Sequence, residues 1–360
     1  MRHQKSAPSL KDIAAVAGVS VMTASNVLRT DAGTGSRKLF SEATQKKVLD
    51  AARSLGYVPN RAARSMRTQR TGVIGFVASN FSKEDGVVDN YAVHPFLVGL
   101  NHVLAPTGRH VALVELDEME LRSGSLPLAM QERFFDALIV HYGLARQSLH
   151  ALDQSRIPVV YWDSGQFSTA NCVYRDELAV GRAVTERLLE MGHERIAFHT
   201  GSGHNWTRYR DGEFVHFSFA QRYEGYAWVL RSANLPVLRV KGYDPAALNR
   251  QIMEKEITAV ISSTILPFVR AVALQGKQLP DALSILSCDV EGSVFNRNAI
   301  GGAIYNRYEA GRIAADMIIR RLESSGGDAP NVVLPVEMTD ASTAVLRMKS
   351  LRGTARKASS

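Results

Sequence analysis

Cysteine is scarce: only Cys172 and Cys288 occur in 360 residues, far apart. That excludes a disulfide-stapled fold and predicts two reduced thiols, as suits a reducing compartment. Apolar runs of the ~20 residues that a membrane helix needs are missing. The first thirty residues hold no apolar core of a secretory signal. The chain is therefore expected to be soluble and cytoplasmic, without membrane contact. Catalytic signatures are missing as well: there is no Gly-x-Ser-x-Gly elbow, no phosphate-binding glycine loop and no HExxH. His193, His199, His204 and His216 fit no compact ligand spacing, and no paired cysteines accompany them. The expectation is no enzyme, no metal and no cofactor.

Acidic residues are scarce in one region only. Residues 1–71 carry thirteen Lys/Arg against four Asp/Glu, whereas residues 72–360 carry thirty against thirty-one. The formal charge of +8 thus resides entirely on the amino-terminal fifth. Such a concentration is the electrostatic footprint of a module that meets a polyanion, nucleic acid above all.

The basic region contains LKDIAAVAGVSVMTASNVL (10–28). Leu10, Ile13, Ala14 and Ala17 recur at the i, i+3, i+4, i+7 spacing of a helix face. Gly18 then supplies the left-handed conformation that ends a helix, and Val19 plugs the crossing. Ser20 can cap a second helix in which Ala24, Val27 and Leu28 face inward while Val21, Met22, Ser25 and Asn26 face out. By spacing alone this fits any αα-hairpin as well as a helix-turn-helix; the local charge favours the second. Ser41 caps a third helix to about Leu55, with Thr44, Val48 and Ala52 on one face. Between them, residues 29–40 read as a loop, either a tolerated insertion or a source of phosphate contacts through Arg37 and Lys38.

Arg61, Arg64, Arg67 and Arg70 follow at every third residue in a stretch too short and too polar to be a stable helix alone. It reads as a linker or as a segment that orders against a partner. From residue 72 the texture changes to apolar runs near 73–79, 110–116, 136–142, 158–163, 195–201, 258–263 and 283–289. Helix-compatible stretches alternate with them, at 93–105, 177–191, 220–232, 245–255, 266–276 and 308–323. This is an α/β pattern with parallel sheets, in two lobes. VVLPVEM (332–338) reads as one further strand. The basic, Ser-rich end, residues 347–360, is expected to be disordered.

LKDIAAVAGVS, TASNVL, LGYVPNRAARSM and TGVIGF strongly resemble the LacI/GalR family of bacterial transcription regulators. MGHERIAF, QRYEGY and YEAGRIAADMIIRRL extend the likeness, which covers about residues 9–346. It implies a helix-turn-helix headpiece (1–58), a hinge helix (59–71) and a two-lobed core like a periplasmic sugar-binding protein (72–346). The implied function is a transcription regulator, a repressor, that binds a near-palindromic operator as a homodimer or dimer of dimers. A small molecule in the core cleft would modulate it, a sugar, sugar derivative or nucleoside. The alternatives are a cytosolic small-solute-binding protein and a regulator whose cleft no longer senses a ligand.

Residue by residue, the likeness places Val21, Met22 and Asn26 at base-reading positions and Ser20, Thr23 and Ser25 at phosphates. Many relatives carry Arg where Asn26 stands; Asn suits adenine and Arg suits guanine, so A·T is expected opposite it. Asn60, Arg61 and Ala63 fall in the minor-groove hinge, where Met66 replaces the usual leucine wedge. Asp163, Arg222 and Asp289 are the expected effector contacts, Arg222 opening a helix, with Ser79 and His141 as weaker candidates. Thr264-Ile265 replaces a usual Asn-Asp, and Tyr305 a usual Gln, so the ligand departs from a standard sugar.

Overall fold

The computed structural model describes residues 7–28, 40–59, 65–66, 68–79, 90–116, 130, 132, 134–141, 150, 152, 154–164, 170–200, 217–262, 283–290, 301–323 and 327–339. Loop 29–39, hinge residues Asn60, Arg61 and Ala63, Thr264, Ile265, His204, His216 and the segment 340–360 lie outside the described residues.

The head is three helices: α1 (Leu10–Ala17), α2 (Val21–Leu28) and α3 (Glu42–Ser54). Local chemistry sets each boundary. Ser9 begins α1 with a reciprocal box, its Oγ accepting from the Asp12 N–H at 3.4 Å while Asp12 Oδ2 accepts from the Ser9 N–H at 2.7 Å. Gly18, at φ +64°, ends it and lets the Val19 N–H donate to Ala14 O at 3.0 Å. Ser41 accepts from the Thr44 N–H and opens α3. Ile13, Ala14, Ala17, Ala24, Val27, Val48, Ala51 and Ala52 form the buried centre, with Val19 packed against it.

The core holds two six-stranded sheets. The first contains β1 (Val73–Ser79), β2 (His110–Leu116), β3 (Ala137–His141), β4 (Val159–Trp162), β5 (Cys172–Arg175) and β11 (Val332–Leu334), in the order β11-β5-β4-β3-β1-β2. The second contains β6 (Ile196–His199), β7 (Leu238–Val240), β8 (Ala259–Ser262), β9 (Ser284–Val290), β10 (Gly301–Ile304) and β12 (Glu337–Thr339), in the order β12-β10-β9-β8-β6-β7. Helices α4 (Asn90–Leu104) and α8 (Arg307–Glu323) bury Phe96, Leu100, Ala310, Ala314 and Ile318 on the first sheet. Helices α5 (Glu177–Glu190) and α6 (Phe217–Ser232) do the same on the second with Val180, Val184, Tyr226 and Leu230, and α7 (Pro245–Glu254) covers its other face.

The chain therefore crosses between lobes three times: from β5 into α5, from β10 into α8, and from β11 into β12. VVLPVEM is two strands rather than one. Pro335 lacks the N–H that would continue a ladder, so Val332–Leu334 completes the first sheet and Glu337–Thr339 pairs antiparallel with β10 in the second. The second sheet is thus mixed, not purely parallel.

Close helix contact brings charged side chains together beneath the strand ends. A Cβ on Gly181 of α5 would lie 2.0 Å from the Arg222 carbonyl oxygen, and one on Gly225 of α6 would lie 2.2 Å from that of Leu178. Only glycine permits this approach, which seats Arg222 beside the start of α5.

Candidate DNA-reading helix and effector cleft

Helix α2 is anchored from beneath and open above. Ala24 and Val27 are wholly buried, while Val21 is 43% and Met22 74% exposed. Ser20 accepts from the Thr23 N–H at 3.0 Å, and the two hydroxyls are 2.9 Å apart, so the residues expected at phosphates also define the helix start. Ser25 and Asn26 are half-buried on the flank. An eight-residue helix with an apolar tip and short polar side chains fits the major groove. Farther on, Ser65, Met66 and Thr68 are helical, and Met66 is 85% exposed. A thioether that projects into solvent from a basic strap is available to an apolar partner such as a base step.

The second site lies where strands of both sheets end. Arg175, the last residue of β5, is fully buried and donates from Nε and Nη2 to the Glu177 carboxylate at 3.0–3.1 Å. Its Nη2 also donates to the Cys288 carbonyl at 3.0 Å, tying the first sheet to the second. Glu177, the first residue of α5, accepts from Arg222 as well. Arg222 Nη2 stands 3.6 Å from Asp289 Oδ2. Arg307, the first residue of α8, then takes both oxygens of Asp289 through its two terminal nitrogens. The result is an alternating chain, Arg175–Glu177–Arg222–Asp289–Arg307, running from one lobe into the other and back.

Tyr305 is the apolar filling of this chain. The Arg175 and Arg307 guanidinium carbons lie 4.9 and 4.8 Å from its ring centre, and its hydroxyl accepts from Trp162 Nε1 at 3.1 Å. Trp162 is in turn stacked between Phe96 and His141, at 3.7 and 4.1 Å between ring centres.

Burial raises the cost of charging every group in the wall, and the opposing charges outweigh it. Burial alone would raise the Asp289 carboxyl, but Arg307, Arg175 and Arg222 hold it well below the usual carboxylate range. Burial likewise works against charge on Glu177, yet Arg175 and Arg222 lower its carboxyl. Against the same penalty, carboxylates keep Arg222 and Arg307 firmly protonated. Burial pushes the Tyr305 hydroxyl well above its ordinary value, with the Asp163 charge adding to it. The Cys288 thiol beside them is pushed up to about 12 by burial, and Cys172 likewise, so both are unreactive thiols.

The expected effector residues divide accordingly. Arg222 and Asp289 meet directly, and Asp163 joins them through Tyr305 and Arg307, whose charge it reinforces. Asp163 is 7% exposed and sits at φ +49°, turning the chain sharply after β4. Arg222 does not open its helix: α6 begins at Phe217, so Arg222 lies in the second turn. His141 reaches the same wall by stacking on Trp162. Ser79 closes β1, one residue beyond the Ala78–His141 pairing. Sequence reasoning missed Arg175, Glu177 and Arg307. The available signal was charge at the mouths of apolar strands, as in CVYRDE and AIYNR. Of the four suspected histidines, His193 bonds Thr258 and His199 bonds Ser262 and Gly242, as ordinary buried histidines do. Among the described residues, no cluster of His, Cys, Asp or Glu could hold a metal.

The model of bacterial regulatory proteins of the lacI family matches residues 9–60, and that of the periplasmic-binding-protein-like domain matches 185–343. The head, residues 9–60, is thus similar to the DNA-binding domain of lacI-family regulators. This regulator is 25% identical to the transcriptional regulator RegA of Clostridium saccharobutylicum, over 93% of the chain and 98% of RegA. It is 25% identical to the repressor PurR of Actinobacillus pleuropneumoniae over 88% and 91%. It is 32% identical to GntR of Pseudomonas aeruginosa over 53% and 52%. In fold it is similar to the Lac repressor dimer bound to operator and the anti-inducer ONPF, with a TM-score of 0.71 at 19% identity over 94% and 99%. It is also similar to the CelR–cellobiose complex, with a TM-score of 0.61 at 22% identity over 94% and 100%. With a lacI-type DNA-binding domain and near full-length likeness to RegA and PurR, the chain is a DNA-binding transcription regulator.

Proposed function

We propose that the regulator is a cytoplasmic repressor with no catalytic role, which binds a near-palindromic operator as a homodimer. The observation that carries this is helix α2: buried through Ala24 and Val27, open through Val21 and Met22, on a head that holds all the excess positive charge. Two heads in successive major grooves place Val21, Met22 and Asn26 against base edges, with Ser20, Thr23 and Ser25 on phosphates. Residues 59–71 form the strap between head and core. In it, Asn60, Arg61 and Ala63 lie along the minor groove, and Met66 wedges between base steps, offsetting the unstacking cost with bent, better-covered DNA. Residues 72–346 carry dimerisation and sensing, and a ligand held by Asp163, Arg222 and Asp289 changes lobe orientation and hence strap pairing. Linkage then requires operator to change ligand affinity by the same factor.

The test is duplex affinity of the full chain as a function of salt. A dimer neutralising several phosphates loses about 0.9 log units of affinity per phosphate for each log unit of salt. A flat, weak response at every sequence would leave a solute-binding protein with a basic arm.

A further inference from the structure

The base of the strap is built as a joint rather than as a loose linker. Gln69 follows the helical Thr68 at φ +53°, a left-handed conformation uncommon outside glycine, and turns the chain sharply. Arg70 then reaches across the surface, its Nη2 donating to the carbonyl oxygen of Leu322 at 2.8 Å. That carbonyl belongs to the last turn of α8, where helix carbonyls lack intrahelical partners and the helix dipole favours a cation. The next two residues are held as well. The N–H groups of Thr71 and Gly72 donate to the two carboxylate oxygens of Asp136, at 2.7 and 2.8 Å.

The other end of α8 lies at the cleft. Its first residue, Arg307, grips Asp289 of the second sheet, while the body of the helix packs on the first. Between the two ends, 17 residues span about 25 Å. The helix does not slide freely on its neighbour, since a Cβ on Gly311 would lie 2.1 Å from the Phe96 carbonyl oxygen of α4. We propose that α8 is the coupling rod between cleft and strap, with Arg70 the positioning residue that fastens the strap to it. The proposal rests on the reading of the strap as operator-binding and of the cleft as its sensor. A change of lobe orientation acts on Arg307 at one end, and the locked rod carries it to the Leu322 carbonyl at the other. There it alters the direction in which the strap leaves the core. Arg70 supplies position rather than strength, because an exposed hydrogen bond contributes little to net stability.

The experiment is a double-substitution cycle on the full chain, Arg70→Met and Arg307→Gln singly and together. Affinity is read on a duplex selected from randomised sequence by the wild-type chain, and on random duplex. Arg70→Met is expected to weaken binding to the selected duplex by about fivefold more than binding to random duplex. Arg70→Lys, which can still donate to Leu322, is expected to restore most of the loss. Equal losses on both duplexes are the mark of a missing phosphate-facing charge and overturn the proposal. Distant substitutions ordinarily combine multiplicatively to within about twofold. Here the double variant is expected to depart from the product by about fivefold, because a severed joint no longer passes the state of Arg307 to the strap. Multiplicative behaviour overturns the rod. Amide exchange across residues 65–72 without DNA is the independent readout. It is expected to accelerate in Arg70→Met and, from the far end of the helix, in Arg307→Gln; unchanged exchange in both overturns the proposal. A wild-type chain that ignores every duplex removes the repressor reading, and exchange alone then decides the joint. Asp289→Asn replaces Arg307→Gln in the cycle if the latter fails to fold.

Discussion

Arg307 holds Asp289 by both ends of its guanidinium group, although the two residues belong to different lobes. Between them and Arg175 the chain assembles five charged side chains at the crossing points of the core. Buried ion pairs of this kind contribute less to net stability than to geometry, and they punish the loss of one partner.

Glu177→Gln should therefore be strongly destabilising. It removes the charge that Arg175 and Arg222 share and leaves two buried cations facing each other. A loss of about 3–5 kcal/mol is expected, to be read from urea denaturation at neutral pH. A loss below about 1 kcal/mol, the range of exposed pairs, would mean the network is solvated and would contradict its described burial.

Stability should fall with acidification before any carboxylate titrates. Burial of His199 between Ser262 and Gly242 lowers its pKa. The unfolded imidazole titrates near about 6.5 and the folded one lower, so between the two values the unfolded chain holds the extra proton. The stabilisation is complete above about pH 6.5 and drains away as pH drops toward the folded value. Denaturation midpoints at pH 7.5 and 5.5 measure the decline. His199→Asn should flatten it, whatever it does to stability at pH 7.5. A second loss follows at lower pH, as the depressed carboxyls of Asp289 and Glu177 take up protons.

Asn26→Arg should change sequence preference more than affinity. Asparagine pairs with adenine and arginine with guanine, each worth about 1–3 kcal/mol of discrimination. Selection from randomised operators should shift from A·T to G·C at the base facing residue 26. An unchanged consensus would place Asn26 off the bases.

Met66→Ala should separate specific from non-specific binding. Met66 is 85% exposed, so little buried area is lost and folding is expected to be unaffected. Operator binding should weaken by tenfold or more, about 1.4 kcal/mol or above, while affinity for random duplex changes little. Equal losses on both would refute the wedge.

Legibility in the sequence followed the range of the interactions. The head was readable because its determinants are local: Gly18 ends α1 through its own φ, and Ser20 and Ser41 cap helices three residues away. The buried strands of the core were readable as apolar runs. β10 was not, because Gly301 and Gly302 carry no strand signal, and β11 and β12 merged because hydropathy is blind to which sheet a strand joins. Arg222 was placed at a helix start since FSFA, the true first turn, lacks a recognisable cap. The ion-pair chain was least visible. Arg222 meets Glu177 from 45 residues away, and such a pairing exists only after two glycine-faced helices have closed on each other.

The interleaving of the lobes has a consequence for synthesis. The first sheet lacks its edge strand β11, and its covering helix α8, until residues 307–334 have been made. The second lobe's strands β6 to β10 all emerge earlier. On the ribosome, the half of the core begun first is completed only near the end of translation, along with β12 of its sibling. A released chain truncated before residue 307 would therefore lack α8 and β11 and leave the apolar face of the first sheet exposed, whereas one that extends past 339 would not.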